Sequence, residues 1–270
     1  MKINYLIPFA AVVFTIGSLD AIAQEDVLSA LDIVGNINAR EDGEHVMRSL
    51  TLELTDRRGI TRTQKTLGYR KYFDGEKRTV LFFTEPNNVR GTGFLTFDYL
   101  DNALDDDQWL YLPALRKIRR ISSSNRGDYF LGTDLTYEEM KKENKIETKD
   151  YFFSLQGKEM VGSNEVLVLE ATPIDRAVAN ELGYSKVLLY VDPIIWISRK
   201  SEFWDLNGNR LKTVVNHTIE QIDSIWTTLR VEVENHKTQH KTVLTFSDVD
   251  YGTPIEDDIF SQPRLRRGLR

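Results

Sequence analysis

The sequence predicts a mainly β protein built on one large antiparallel sheet, either strongly curved or closed into a barrel. Three observations predict it. Beyond residue 47 the apolar side chains recur with a period of two; turn-forming residues cut the chain into short segments; and no stretch rich in Pro, Gly or Ser divides it. The composition agrees. Hydrophobic residues at 41% and aromatics at 10% exceed what a disordered chain carries, and 28% charged residues exceed what a helical membrane bundle tolerates.

The first residues read as an address. Lys2 supplies a positive start, residues 5–17 carry no charge, and Ala21-Ile22-Ala23 has the small-x-small pattern of a cleavage site. That run falls within the ~7–15 residues of a signal-peptide core and short of the ~18 that span a bilayer. The expected division is a cleaved signal peptide at 1–23 and a single domain at 24–270. Residues 26–37 read as an amphipathic helix through Val27, Leu28, Leu31 and Val34, stopping at Gly35-Asn36. Residues 48–55 then alternate, with Leu50, Leu52 and Leu54 on one face. Asp56-Arg57-Arg58-Gly59 turns the chain into a polar strand at 61–73.

Strands are expected next at 80–83, 93–99 and 108–112. Residues 117–133 read as irregular, and 135–145 as a short helix after Asp134. Strands resume at 152–155, 166–171, 186–191, 195–204, 210–216, 226–235 and 242–249, parted by turn signals such as Asp192-Pro193 and Asn207-Gly208-Asn209. About 11–12 strands with short capping helices result. Val80-Leu81-Phe82-Phe83, Phe94-Leu95-Thr96-Phe97, Trp109-Leu110-Tyr111-Leu112 and Val187-Leu188-Leu189-Tyr190-Val191 are apolar on both faces. Such strands must be covered twice, by helix or loop on one side and by more sheet on the other. Whether the inside of the curve is packed solid or leaves room for a ligand is open at this level.

Chemistry is sparse. Lys plus Arg total 35 and Asp plus Glu 41, a net charge of −6, which suits neither nucleic acid nor anionic lipid as a partner by charge alone. There is no cysteine, hence no disulfide, thiolate metal site, cysteine nucleophile or N-terminal cysteine lipid anchor. His236 and His240 flank Lys237-Thr238-Gln239 between two strands, so a hairpin turn is expected there rather than a metal site. Gly91-Thr92-Gly93 leads into a strand without a third glycine and is no phosphate loop. Asp101, Asp105, Asp106 and Asp107 lack calcium-loop spacing and read as a solvated hairpin tip. Adjacent Glu138 and Glu139 would diverge by ~100° on a helix and cannot face each other as acid and base. No catalytic residue, metal or cofactor is expected. Basic residues cluster at Arg116, Lys117, Arg119 and Arg120 and again at Arg264, Arg266, Arg267 and Arg270, as a solvated rim and loose tail or as a docking surface.

Three blocks resemble a known family. They are residues 91–99, then Trp109-Leu110-Tyr111-Leu112-Pro113 with the basic run to Ile121, then Phe130-Leu131-Gly132-Thr133-Asp134-Leu135-Thr136-Tyr137-Glu138-Glu139. Together with Ile255-Glu256-Asp257-Asp258-Ile259-Phe260 they resemble the LolA-like outer-membrane lipoprotein-sorting proteins, in their longer bacterial branch. The resemblance implies a half-open, strongly curved sheet capped by helices around an apolar cavity for acyl chains. It implies a periplasmic carrier of lipid or lipoprotein, with an inner-membrane transporter (of RND type) and an outer-membrane acceptor as partners. Such a carrier needs no catalytic group, and covering hydrocarbon from water is worth ~0.8 kcal/mol per methylene. On that reading Leu50, Leu52, Leu54, Phe82, Phe94, Leu95, Phe97, Trp109, Tyr111, Leu167, Leu169 and Leu188 are expected to line the cavity. Arg116, Lys117, Arg119 and Arg120 would meet a partner or lipid head groups at its mouth. An outer-membrane β-barrel, an accessory protein of an RND-type lipid exporter and a secreted hydrolase are the rival classes.

Overall fold

A computed structural model describes Met1 and residues 28–269, apart from Asn102 and Asn144. Residues 2–27, which hold all but the first residue of the expected signal peptide and the expected start of the first helix, lie outside the described residues. The first element is α1 (Ala30–Ala39), set by a capping box in which Ser29 and Asp32 satisfy each other's backbone N–H groups. It starts later than the periodicity suggests and runs through Gly35. Its buried face is Ile33, Val34 and Ile37, packed on Leu167, Leu169 and Val191, while Leu31 points to solvent.

Six strands follow: β1 (His45–Thr55), β2 (Thr61–Phe73), β3 (Glu76–Glu85), β4 (Gly93–Tyr99), β5 (Asp107–Leu112) and β6 (Lys117–Ile121). After α2 (Tyr137–Lys142) come β7 (Tyr151–Val161), β8 (Asn164–Pro173), α3 (Arg176–Leu182), β9 (Lys186–Asp192) and β10 (Ile197–Trp204). The chain closes with β11 (Arg210–Ile222), β12 (Ile225–Asn235), β13 (His240–Asp250), a 3₁₀ turn (Asp257–Phe260) and α4 (Gln262–Arg267). The thirteen strands form one sheet in the order β6-β5-β4-β3-β2-β1-β13-β12-β11-β10-β9-β8-β7, antiparallel throughout. The thirteenth is β6, which falls in the stretch read from the sequence as irregular; pairing with β5 alone makes it a strand. The expected turn at 236–239 is there, with Asn235 opposite His240.

The sheet is not closed. Its edges are β6 and β7, so the β-barrel alternative is overturned: an open edge in hydrocarbon would strand unpaired backbone groups. It is nonetheless strongly curled. Leu81 on β3 and Leu189 on β9 line one cavity, although in a flat sheet strands seven places apart lie about 34 Å from each other.

The doubly apolar strands are covered as their pattern requires. On the outer face of β3, β4 and β5, Val80, Phe82 and Leu95 pack under Ile255, Ile259, Phe260 and Leu265, the last two fully buried. The C-terminal basic run is thus no loose tail up to Leu269. Gly93 permits this cover, since a Cβ there would lie 2.6 Å from Leu265 Cδ1. On the inner face Leu81, Phe83, Phe94 and Leu110 meet Phe130 and Tyr137, whose rings stand 4.9 and 5.6 Å from Phe94. The second cover there is the curl of the same sheet, which brings Val233 and Leu244 into that cluster.

Candidate functional site

The inner face holds a cavity of about 250 Å³ between the curled sheet and three covers: the end of α1, α2, and Glu143 with residues 145–147. One part of its wall is apolar, with Leu50, Leu81, Leu189, Val214, Leu244 and Phe246; another carries Arg40, Asp42, Arg48, Arg70, Glu143 and Lys145. Alternation on β1 puts Arg48 on the same face as Leu50, and register places Thr66 opposite Leu50 and Arg70 opposite Val46.

The covers are pinned by charge. Thr136 and Glu139 form a capping box that starts α2 two residues later than expected, and Asp134 accepts from Thr242 Oγ1 at 2.7 Å and pairs with His240. Lys142 of α2 reaches Asp98 on β4 at 2.5 Å and Glu147 at 2.8 Å, and Lys77 on β3 reaches Asp98 at 3.0 Å. Lys141 pairs with Asp106 and with Glu138 at 2.8 Å; Lys212 on β11 pairs with Glu139 at 2.7 Å. Burial opposes the charge on Asp98, yet Lys77, Lys142 and Lys141 hold its carboxyl well below the usual carboxylate range. Asp106 is turned inward, which corrects the solvated hairpin tip for that residue. Asp98, Asp106 and Glu147 lie within 4.8 Å of one another, but lysine ammoniums already sit among them.

At the polar wall, Arg48 pairs with Glu143 and Arg70 Nη1 stands 3.3 Å from Asp42. Burial disfavours the charge of Glu143, but Arg48, Arg70 and Lys77 outweigh it and lower its pKa. Asn38 ties α1 to the 145–147 segment by donating to the Ile146 carbonyl (2.9 Å) and accepting from its N–H (2.8 Å). Lys145 donates to the carbonyls of Asn38 and Arg40.

Of the twelve residues expected to line the cavity, Leu50 does. Leu52 and Leu54 share its face farther along β1, Leu52 buried beside Val233 and Leu244. Phe94 is sealed under Phe130 and Tyr137, and Leu167 and Leu169 under Ile33, Val34 and Ile37 of α1. Phe82, Leu95, Phe97, Trp109 and Tyr111 belong to the outer face beneath the C-terminal segment, and Leu188 packs with Val168 and Tyr190 away from the cavity. Their strands are apolar on both sides, so alternation alone could not say which side was inner. Arg116, Lys117, Arg119 and Arg120 are exposed on and before the edge strand β6, and none lines the cavity. Arg120 pairs with Asp107 at 2.5 Å. The polar wall went unread in the sequence. Arg48 could have been found by extending the Leu50-Leu52-Leu54 alternation one step back, whereas Arg70 required the register of β2.

A family model described as "uncharacterized protein" matches residues 75–267, well over half of the chain. The chain belongs to that family. Its structure is LolA-like. It superposes on a DUF1329 family protein from Desulfovibrio piger with a TM-score of 0.80 and 26% identity, over 87% of this chain and 97% of that one. A domain from Vibrio parahaemolyticus, described as an outer membrane lipoprotein-sorting protein, gives 0.79 and 29% over 88% and 98%. A LolA superfamily protein from Nitrosomonas europaea gives 0.67 and 23% over 88% and 100%, a likeness of fold. No curated protein sequence matches. The LolA-like family features noted in residues 91–139 thus belong to a LolA-like fold over nearly the whole described chain, with its cavity on the inner face.

Proposed function

We propose that this LolA-like chain is an exported periplasmic carrier that shelters acyl chains of a lipid or lipidated protein and moves them toward the outer membrane. The supporting observation is the partly apolar cavity between a curled, unclosed sheet and covers held by ion pairs. The likeness to a lipoprotein-sorting domain and the leader read in residues 1–23 point the same way. At about 250 Å³ the hollow is slightly smaller than the ~300–1,000 Å³ of sites that enclose drug-sized ligands. An inner-membrane transporter would load the carrier and an outer-membrane acceptor would unload it. Delipidated protein is expected to take up a fluorescent fatty acid saturably, and mass spectrometry of freshly purified protein is expected to find a co-purifying lipid. Absence of both would overturn the reading.

A further inference from the structure

We propose that the polar wall of the cavity is an anion site, so that the cargo is an amphiphile with an acidic head group, a carboxylate or a phosphate. This rests on the carrier reading and narrows it. Arg40, Arg48, Arg70 and Lys145 converge there, and the carboxylates facing them are Asp42 and Glu143. The other acidic groups on the cavity wall pair with other cations: Glu138 shares Lys141 with Asp106, Glu139 pairs with Lys212, and Glu147 shares Lys142 with Asp98. Lys77, which adds positive charge nearby, is matched by Asp98. In this largely buried corner, four cations therefore stand beside two carboxylates.

The hydrogen bonding is incomplete in the same place. Arg70 is 2% exposed, yet its Nε has no hydrogen-bond acceptor among the described residues; Nη1 meets only the Asp42 carboxylate, at 3.3 Å and without hydrogen-bond geometry, and Nη2 donates to the Asp42 carbonyl. Arg40 Nε is buried without an acceptor as well. Buried donors are nearly always satisfied, and a charged donor left unpaired is costly. Burial pulls the pKa of Arg40 and of Lys145 downward, and although Asp42 opposes it, the neighbouring cations add to the effect. An incoming anion would relieve both deficits, because two oxygens of a carboxylate or phosphate match the fork of a guanidinium. Hydrocarbon has a place to go from there. Arg48 lies one alternation from Leu50 on β1 and stacks on Phe246 at 4.6 Å, and both of those residues belong to the apolar wall.

The experiment titrates the delipidated full chain with three ligands of one tail: oleate, oleoyl lysophosphatidic acid and oleyl alcohol. The acidic pair should bind at least tenfold tighter than the alcohol, and the tighter of the two tells carboxylate from phosphate. Arg70→Met should weaken the acids tenfold or more and leave the alcohol unchanged. Glu143→Gln removes a competing carboxylate and should tighten the acids several-fold, a result that damage to the fold does not produce. An alcohol that binds as tightly as the acids, or a Glu143→Gln protein that binds them no better, overturns the anion site and leaves the carrier standing. Failure of all three ligands to bind overturns both.

Discussion

The two faces of β3 and β4 are covered in opposite ways. On the outer face the C-terminal segment is held by apolar side chains, with Ile259, Phe260 and Leu265 set on Val80, Phe82 and Leu95. On the inner face the rings of Phe130 and Tyr137 seal one end, but α2 is fastened farther along by its Lys141 and Lys142 to Asp106 and Asp98, and by its Glu139 to Lys212 on β11. Apolar contact fills space and does not depend on pH. Ion pairs hold a cover at discrete points, leave volume between them, and respond to acid. The outer cover thus behaves as core and the inner cover as the roof of a site.

That contrast can be broken in order of expected effect. Phe260→Ala should cost roughly 3–5 kcal/mol in urea unfolding, because a fully buried ring is lost from a packed layer. Asp98→Asn should cost less, about 2–3 kcal/mol, since Lys142 keeps Glu147 while Lys77 loses its carboxylate. The two variants should also differ with pH. Asp98 and Glu143 are held below the ordinary carboxylate range, so their contribution is complete above about pH 4–5 and is lost as pH falls through the lowered folded values. Thermal melts between pH 6 and 3 should therefore be flatter for Asp98→Asn than for Phe260→Ala, which should keep the parent slope; equal slopes would refute the ionic roof. Val214→Trp should obstruct the cavity and reduce fatty-acid uptake with only a modest change in stability. The smallest effect is expected at the sheet edge. Arg116→Gln should shift stability by less than about 0.5 kcal/mol and leave the affinity for oleate unchanged, as the exposed Arg116 lies outside the cavity wall.

Much of the fold was legible. Alternation in residues 48–55 gave both the strand and its buried face, because one side of β1 is polar enough to break the symmetry. The double cover of β3, β4 and β5 was legible from their unbroken apolar runs, and so was the hairpin at Asn235 and His240. The site was legible only at Leu50. Phe82 and Leu81 are equally apolar neighbours, and one faces the C-terminal segment while the other faces the cavity. The first helix was found but turned: packing on Leu167, Leu169 and Val191 brings Ile33 and Ile37 inward in place of Leu31.

By itself the sequence determined the local matters: which segments are extended, where they turn, and which of them need cover on two sides. These follow from side-chain period and turn chemistry, properties of residues close together along the chain. The tertiary structure alone decided which face became the hollow and which charges gathered there. Arg40, Arg48, Arg70, Glu143 and Lys145 come from four separate stretches, and their meeting depends on strand order and curl. Coulomb interaction acts through distance in space, and no pattern of neighbours along the chain encodes that distance.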